Sequence, residues 1–441
     1  MVRWRQHTPE QRLLLALLGS REGTLDRQGM LSLFRRVNWQ NFLAHTSPSL
    51  HPYLAFRLES YAECIEARRE LEQLFRARRH TAVRNLRLRH ELGRVIEALR
   101  QSGIPALALK GIVLAYAVYP DASLRPMSDL DLLVPPAKRE RALQVLQELG
   151  FEYPEIVKCI NRDHLSRLAP EQEFAHGLLL PSSKILLEVH SELECSEPLL
   201  PTPVQEFWSR AVAVDLHGLT TMMLSPEDFL FHLCLHSYSH RFEFGLLPLL
   251  DLQFLIDSRR DWQWPGIASR SIRSGCAVRL YVTLSAARDL IGTPVPDSFF
   301  ESCPQSAELR QLCFLVEDQI CSAGNLSSGV PLFLPSLAAE PSWRSRTRML
   351  FGRMRLVARE EIEPRLTLGG LIRRRRLAFR RLLATLRIKI PYYFRAWKAG
   401  RLRLSVVKEV SLQLRRANTL FQMVADQEAS WEENKEHIGP Q

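Results

Sequence analysis

Asp129 and Asp131 stand two residues apart in the stretch SLRPMSDLDLLVPP (residues 123–136), inside an apolar run closed by a double proline. Successive side chains of a β-strand alternate faces, so in a strand both carboxylates point one way and Leu130 and Leu132 the other. Neighbouring carboxylates in a partly buried site repel, and one protonates unless a cation lies between them. Mg2+ resolves the conflict, being a hard cation held by one or two carboxylates together with substrate phosphates. A D-x-D pair also occurs at turns and on surfaces; the strand context on both sides favours the metal reading. In ILLEVHSEL (185–193) the same alternation puts Ile185, Leu187 and Val189 on one face and Leu186, Glu188 and His190 on the other. Glu188 is thus a lone carboxylate in an apolar strand. Beside strand 129–134 it completes a group of three that can hold one or two metals and take a proton from an attacking hydroxyl. On its own it would be an ion-pair partner for Lys184 or Arg125.

The opposite charge comes from IPALALKG (104–111), where Lys110 and Gly111 sit at the passage from an apolar strand to a helix. A glycine there lets a ligand approach the backbone, and helix N-terminal N–H groups favour phosphate; glycine is also an ordinary helix-boundary residue. Arg125 and Ser128, just before the paired aspartates, can hold phosphate as well. Further on, His232, His236 and His240 recur every four residues and line one helical stripe. H-x-x-x-H invites a zinc reading, but the zincin motif needs Glu after the first His, and Leu233 stands there, so packing or capping is favoured over metal binding. Asp251, in LLPLLDLQFLI, either orients one of these histidines or serves as a buried hydrogen-bond partner or helix cap.

These residues must be positioned by flanking elements. Residues 9–100 carry helical spacing, with no proline from Tyr53 to Ile104, and Ser102-Gly103 marks a helix end. Strand candidates at 104–111, 129–134 and 185–193 alternate with helix candidates at 111–119 and 136–150, the latter with Pro136 near its start and Gly150 past its end. After Pro203 the pattern reads helical, with Ser225 as N-cap and Pro226 in the first helical position. The expected organisation is a helical N-terminal region (1–100), an α/β core (101–200), a helical domain completing the cleft (201–326), a linker (327–342) and a basic helical C-terminal region (343–441).

A chain of 441 residues with 46% hydrophobic and 24% charged residues is long enough for two or three domains and is not disordered in composition. No apolar run approaches the ~18 residues of a membrane span. Eight cysteines without a C-x-x-C pair suit reduced thiols in a cytoplasmic protein. The formal charge is +11, yet the segment from Arg344 to Arg403 holds 19 Lys/Arg against 3 acids, so the remainder is slightly acidic. Within it LIRRRRLAFRRLLATLRIKIPYYFRAW (371–397) interleaves arginine with Leu, Phe, Tyr and Trp. Besides a plain solvated helix, this fits peripheral contact with an anionic membrane surface, with nucleic acid, or with an acidic protein face; membrane contact is favoured over nucleic acid.

The block LKGIVLAYAVYPDASLRPMSDLDLLV, followed by LLEVHSEL and LSPEDFLFHLCLHSYSHRF, resembles the uncharacterised nucleotidyltransferase family of the DNA polymerase β-like superfamily, over about residues 100 to 260. The resemblance implies an α+β fold, a small mixed-sheet nucleotidyltransferase core flanked by N-terminal and C-terminal helical regions. It implies transfer of a nucleoside monophosphate from a nucleoside triphosphate, ATP among them, to an unknown hydroxyl acceptor, with release of pyrophosphate. Asp129, Asp131 and Glu188 would be both metal ligands and catalytic residues, with Mg2+ as cofactor and Mn2+ as its substitute. Lys110, Gly111, Arg125, Ser128, His236, His240 and Arg241 would contact nucleotide or phosphate. Two positions depart from the superfamily pattern: Ile112 stands where Ser usually follows the glycine, and Glu188 where Asp is commoner. A catalytically silent nucleotide-binding or scaffold protein of the same fold is the alternative, against which the three retained carboxylates argue. A nucleic-acid-binding protein driven by the arginine segment has no recognition motif to support it.

Overall fold

Local capping sets the first helices. The computed structural model describes residues 8–19, 25–153, 176–193, 204–240, 242, 244–303, 307–323 and 423. Helix α1 (Pro9–Leu18) starts with a reciprocal capping box between Thr8 and Gln11. Asp26 and Asn38 cap α2 (Arg27–Phe34) and α3 (Trp39–His45). The proline-free stretch from Tyr53 is not one helix: α4 (His51–Glu59) stops, and the chain resumes as α5 (Arg68–Gln101), 34 residues long. At the predicted end Gly103 adopts φ 67, a left-handed conformation that glycine enters without a Cβ clash. The Ile104 amide donates back to the Leu99 carbonyl at 2.9 Å, and this reversal sends the chain into the sheet.

The sheet has six strands in the order β3-β4-β2-β1-β6-β5. They are β1 (Leu107–Leu109), β2 (Asp129–Leu133), β3 (His176–Leu180), β4 (Ile185–His190), β5 (Val212–Asp215) and β6 (Thr220–Met223). β2 runs parallel to β4 and antiparallel to β1; β1 runs parallel to β6. The architecture is therefore α+β with a mixed sheet. The chain does not turn wholly helical after Pro203: β5 and β6 form an antiparallel hairpin around His217 and Gly218, both at positive φ. β3, paired antiparallel to β4, is a further strand the apolar runs do not announce. Leu130, Leu132 and Leu187 are fully buried on the face opposite the acids. Each such side chain contributes ~1.5–3 kcal/mol, enough to hold β2 and β4 in register beneath a polar face.

Between β1 and β2 lie a short turn of helix, α6 (Gly111–Val113), and a wider π turn over Leu114–Val118. A 3-10 turn at Pro136–Lys138 leads into α7 (Arg139–Glu148), and Gly150 follows at φ 93. The later helices are α8 (Val204–Arg210), α9 (Pro226–Ser239), α10 (Leu247–Asp257), α11 (Trp264–Arg273), α12 (Ala277–Ile291), α13 (Asp297–Glu301) and α14 (Ala307–Ala323). Ser225 caps α9 by accepting from the Asp228 amide, with Pro226 in its first turn. Helix α12 is buried on nearly all sides, as a helix apolar all round must be. It packs against α9, α10 and α14, and also against α1, so helices from both ends of the described chain share one core. Among the described residues no helix is long and apolar enough to cross a membrane. The linker (327–342) and, apart from Met423, the basic region (343–441) with its 371–397 segment lie outside the described residues.

Candidate active site

The register of β2 on β4 builds the site. Asp131 stands opposite Glu188, Asp129 opposite Leu186 and Leu133 opposite His190, so the acids of both strands share one face. A carboxylate oxygen of Asp131, one of Glu188 and a ring nitrogen of His190 all lie within 4.8 Å of one another. His190 Nε2 donates to Asp131 Oδ1 at 2.9 Å and lies 3.8 Å from Glu188 Oε2. Lys110 Nζ stands 3.3 Å from the same Asp131 oxygen. Asp129 stands half-buried one step along the strand.

The three carboxyls titrate differently for physical reasons. Burial and the Asp131 charge push Asp129 up. Burial and the charge of Asp131 likewise push Glu188 up, against the opposing pull of His190. Burial would raise Asp131 too, but the His190 hydrogen bond and the Lys110 charge outweigh it and hold this carboxyl well below the usual range. Asp131 thus holds its charge more readily than either neighbour. The Asp131 and Glu188 carboxylates at this spacing suit a divalent cation with oxygen ligands, and His190, as donor to Asp131, orients one of them.

Lys110 reaches the acid cluster from an unusual backbone. Its φ of 50 and ψ of −121 are those of a tight turn where glycine is normally found. Such a conformation costs on the order of 1–3 kcal/mol for a residue with a Cβ. The next residue, Gly111, is needed for space: a Cβ there would meet Arg125 Nη1 at 3.0 Å and Met127 Cβ at 3.2 Å. The glycine therefore admits a side chain of the protein itself.

Arg125 is held in place by Asp251. Its Nη2 donates to Asp251 Oδ2 at 2.9 Å and its Nε to Oδ1 at 3.2 Å, while the Tyr119 hydroxyl donates to Oδ1 at 2.7 Å. Asp251 thus orients Arg125 and Tyr119 and not a histidine, and Arg125 pairs with Asp251 and not with Glu188. Burial alone would lower Arg125, but the Asp251 charge outweighs it and holds the guanidinium firmly protonated.

Helix α5, which sequence reasoning left out of the site, clamps the turn before β2. Arg84 donates to the carbonyls of Met127 (3.0 Å) and Ser128 (2.7 Å), and Asn85 Nδ2 donates to those of Ala122 (2.6 Å) and Arg125 (2.8 Å). Its signal was the four-residue recurrence of Arg76, His80 and Arg84. His190 was also missed as a site residue, although alternation already put it on the Glu188 face.

A cleft of about 1000 Å³ opens over the acid face. Lys110, Gly111, Arg125 and Ser128 line one part of it, Asp129, Asp131 and Glu188 the floor, and His236 and His240 another wall. His232 and His236 stack with ring centroids 6.2 Å apart, and His240 meets His236 edge-on at 4.4 Å. Phe244 stacks on His236 at 5.8 Å, lies tilted 4.8 Å from His240, and is 45% exposed at the cleft. His232 is buried in the core, and among the described residues the three histidines do not converge as a ligand set. Arg241 lies outside the described residues.

A mixed sheet carrying acids of two adjacent parallel strands on one face, under a cleft walled by helices, defines an α+β nucleotidyltransferase core. The chain belongs to the uncharacterised nucleotidyltransferase family, whose family model matches residues 35–292. The match begins well before the 100–260 span read from the motifs and takes in α5, in keeping with that helix's part in the site. No curated protein and no solved structure matches the chain.

Proposed function

We propose that the protein is a Mg2+-dependent nucleotidyltransferase, with Mn2+ as an effective substitute, that moves a nucleoside monophosphate from a nucleoside triphosphate such as ATP onto an acceptor hydroxyl. The observation that carries this reading is the facing of Asp131 and Glu188 across β2 and β4, with Asp129 on the same surface. A divalent cation held by Asp129, Asp131 and Glu188 would neutralise triphosphate charge and polarise the phosphoryl group under attack. The remaining work falls to side chains. Glu188 would help hold the cation nearest the acceptor and take up the proton of the acceptor hydroxyl as that oxygen attacks the α-phosphorus. The acceptor O–P bond forms, the bond from the α-phosphorus to the bridging oxygen breaks, and pyrophosphate departs with that oxygen.

His190 acts as a positioning residue by fixing Asp131 through the Nε2–H···Oδ1 bond. Lys110 and Ser128 line the cleft beside the acids and would contact the α-phosphoryl group, while Arg125 packs against Gly111 in the space a Cβ would fill. His236, His240 and Phe244 offer the base a wall of packed rings. The free thiols of Cys234, Cys276, Cys303 and Cys313 fit a cytoplasmic setting. The test is incubation with each α-32P nucleoside triphosphate, Mg2+ and a panel of acceptors, beside an Asp129→Ala/Asp131→Ala variant. Label transfer that the variant loses supports the enzyme. Equal nucleotide binding by both without turnover, across a broad panel, would point to a silent nucleotide-binding module.

A further inference from the structure

We propose that the triphosphate tail lies along helix α5, with its terminal phosphates on Arg76 and His80, and away from the Lys110–Arg125 corner that the motifs suggest. This placement rests on the nucleotidyltransferase reading above. Charge compensation within the cleft carries it. Lys110 is matched to Asp131, and Arg125 is committed to Asp251 by two hydrogen bonds. Their charges are therefore already countered by buried acids. Arg76, His80 and Arg84 line the same cleft from α5, and among the described residues no acid pairs with any of them. Arg84 bonds neutral carbonyls only, so its positive charge stays uncompensated over the mouth of the turn.

The spacing suits an extended anion. Residues four apart share a helix face, and Arg76 to Arg84 spans ~12 Å of axis. The acid floor draws a cation and repels bare phosphate, whereas this wall attracts phosphate directly. A tail bridging from the floor to the wall meets opposite charge at both ends. Arginine is the side chain best shaped for phosphate, through paired N–H donors.

Inorganic tripolyphosphate with Mg2+ is the probe, because it carries the tail and no base. Its binding would be measured by calorimetry on the full chain for wild type, Arg76→Gln, His80→Gln and Arg79→Gln. Arg79 lies on the same helix but outside the cleft, paired with Glu72, so it reports the loss of one charge without the site. Loss of a charged donor to phosphate weakens binding roughly tenfold or more in Arg76→Gln, equivalent to ~1.4 kcal/mol, and several-fold in His80→Gln. Arg79→Gln stays within about twofold of wild type, and Arg76→Lys recovers part of the loss. Wild-type tripolyphosphate and nucleoside triphosphate binding with unchanged affinity in Arg76→Gln and His80→Gln would overturn the placement and leave the nucleotidyltransferase reading standing. Equal weakening by Arg79→Gln would overturn it too, as a long-range charge effect. Failure of the wild type to bind either ligand would remove both readings.

Discussion

Replacing Asp251 by asparagine keeps its size and removes its charge. In the structure that charge is 4% exposed and faces Arg125, whose side chain is 16% exposed, at 2.9 Å. Arg125 cannot shed its proton, so the variant leaves a buried cation without a counter-charge. Breaking a buried pair in this way costs ~3–5 kcal/mol. The Tyr119 hydroxyl keeps an amide oxygen to donate to, and so adds little. With a urea slope of about 3 kcal/mol per molar, the unfolding midpoint should drop by roughly 1 M or more. Two comparisons separate this from a general loss of charge. Glu72→Gln breaks the exposed Arg79 pair (64% and 51% exposed) and should shift stability by no more than ~1 kcal/mol. Arg125→Met/Asp251→Leu removes both charges and should recover most of the loss, since an apolar pair of similar volume often replaces a buried ion pair without penalty. An Asp251→Asn midpoint no lower than that of Glu72→Gln would refute the assignment of Arg125 as a structural cation.

Other expectations follow from the same geometry. Gly111→Ala puts a methyl group against Arg125 and Met127, neither free to retreat, and should lower stability by ~1–3 kcal/mol in the same urea assay. Asp131→Asn or Glu188→Gln should reduce pyrophosphate release by ~10²–10⁴-fold while circular dichroism shows the fold retained. Burial, then the charge of Asp289, pushes the Glu317 carboxyl on α14 up to about 7. Because its folded value is raised, its contribution to stability is full in acid and is lost as pH rises through about 7. The thermal midpoint should accordingly fall between pH 5 and pH 8, and Glu317→Gln should flatten that fall; an unchanged slope would contradict it.

What the sequence makes legible is what short-range rules govern. Asp129, Asp131 and Glu188 stand out because strand alternation and apolar neighbours leave few other uses for them, and their facing across β2 and β4 needs only that the strands be adjacent. The α9 start at Ser225-Pro226 and the α5 end at Gly103 are legible for the same reason: a cap is a local device. The β5–β6 hairpin escapes because its strands are four residues each and its Val212, Ala213 and Asp215 are exposed, which erases the apolar alternation. The Arg125–Asp251 pair joins residues 126 apart, and no local pattern links them. The role of α5 escapes because a basic helix face reads as solvated until a cleft is seen to lie against it.

The central claim is that Asp131 and Glu188, brought together from distant parts of the chain, hold one divalent cation. Electron paramagnetic resonance of Mn2+ titrated into the full chain, with a non-hydrolysable nucleoside triphosphate present, measures this directly. Tight Mn2+ binding by the wild type that Asp131→Asn and Glu188→Gln each abolish is the predicted result. Undiminished Mn2+ binding in both variants, or none in the wild type, would contradict it.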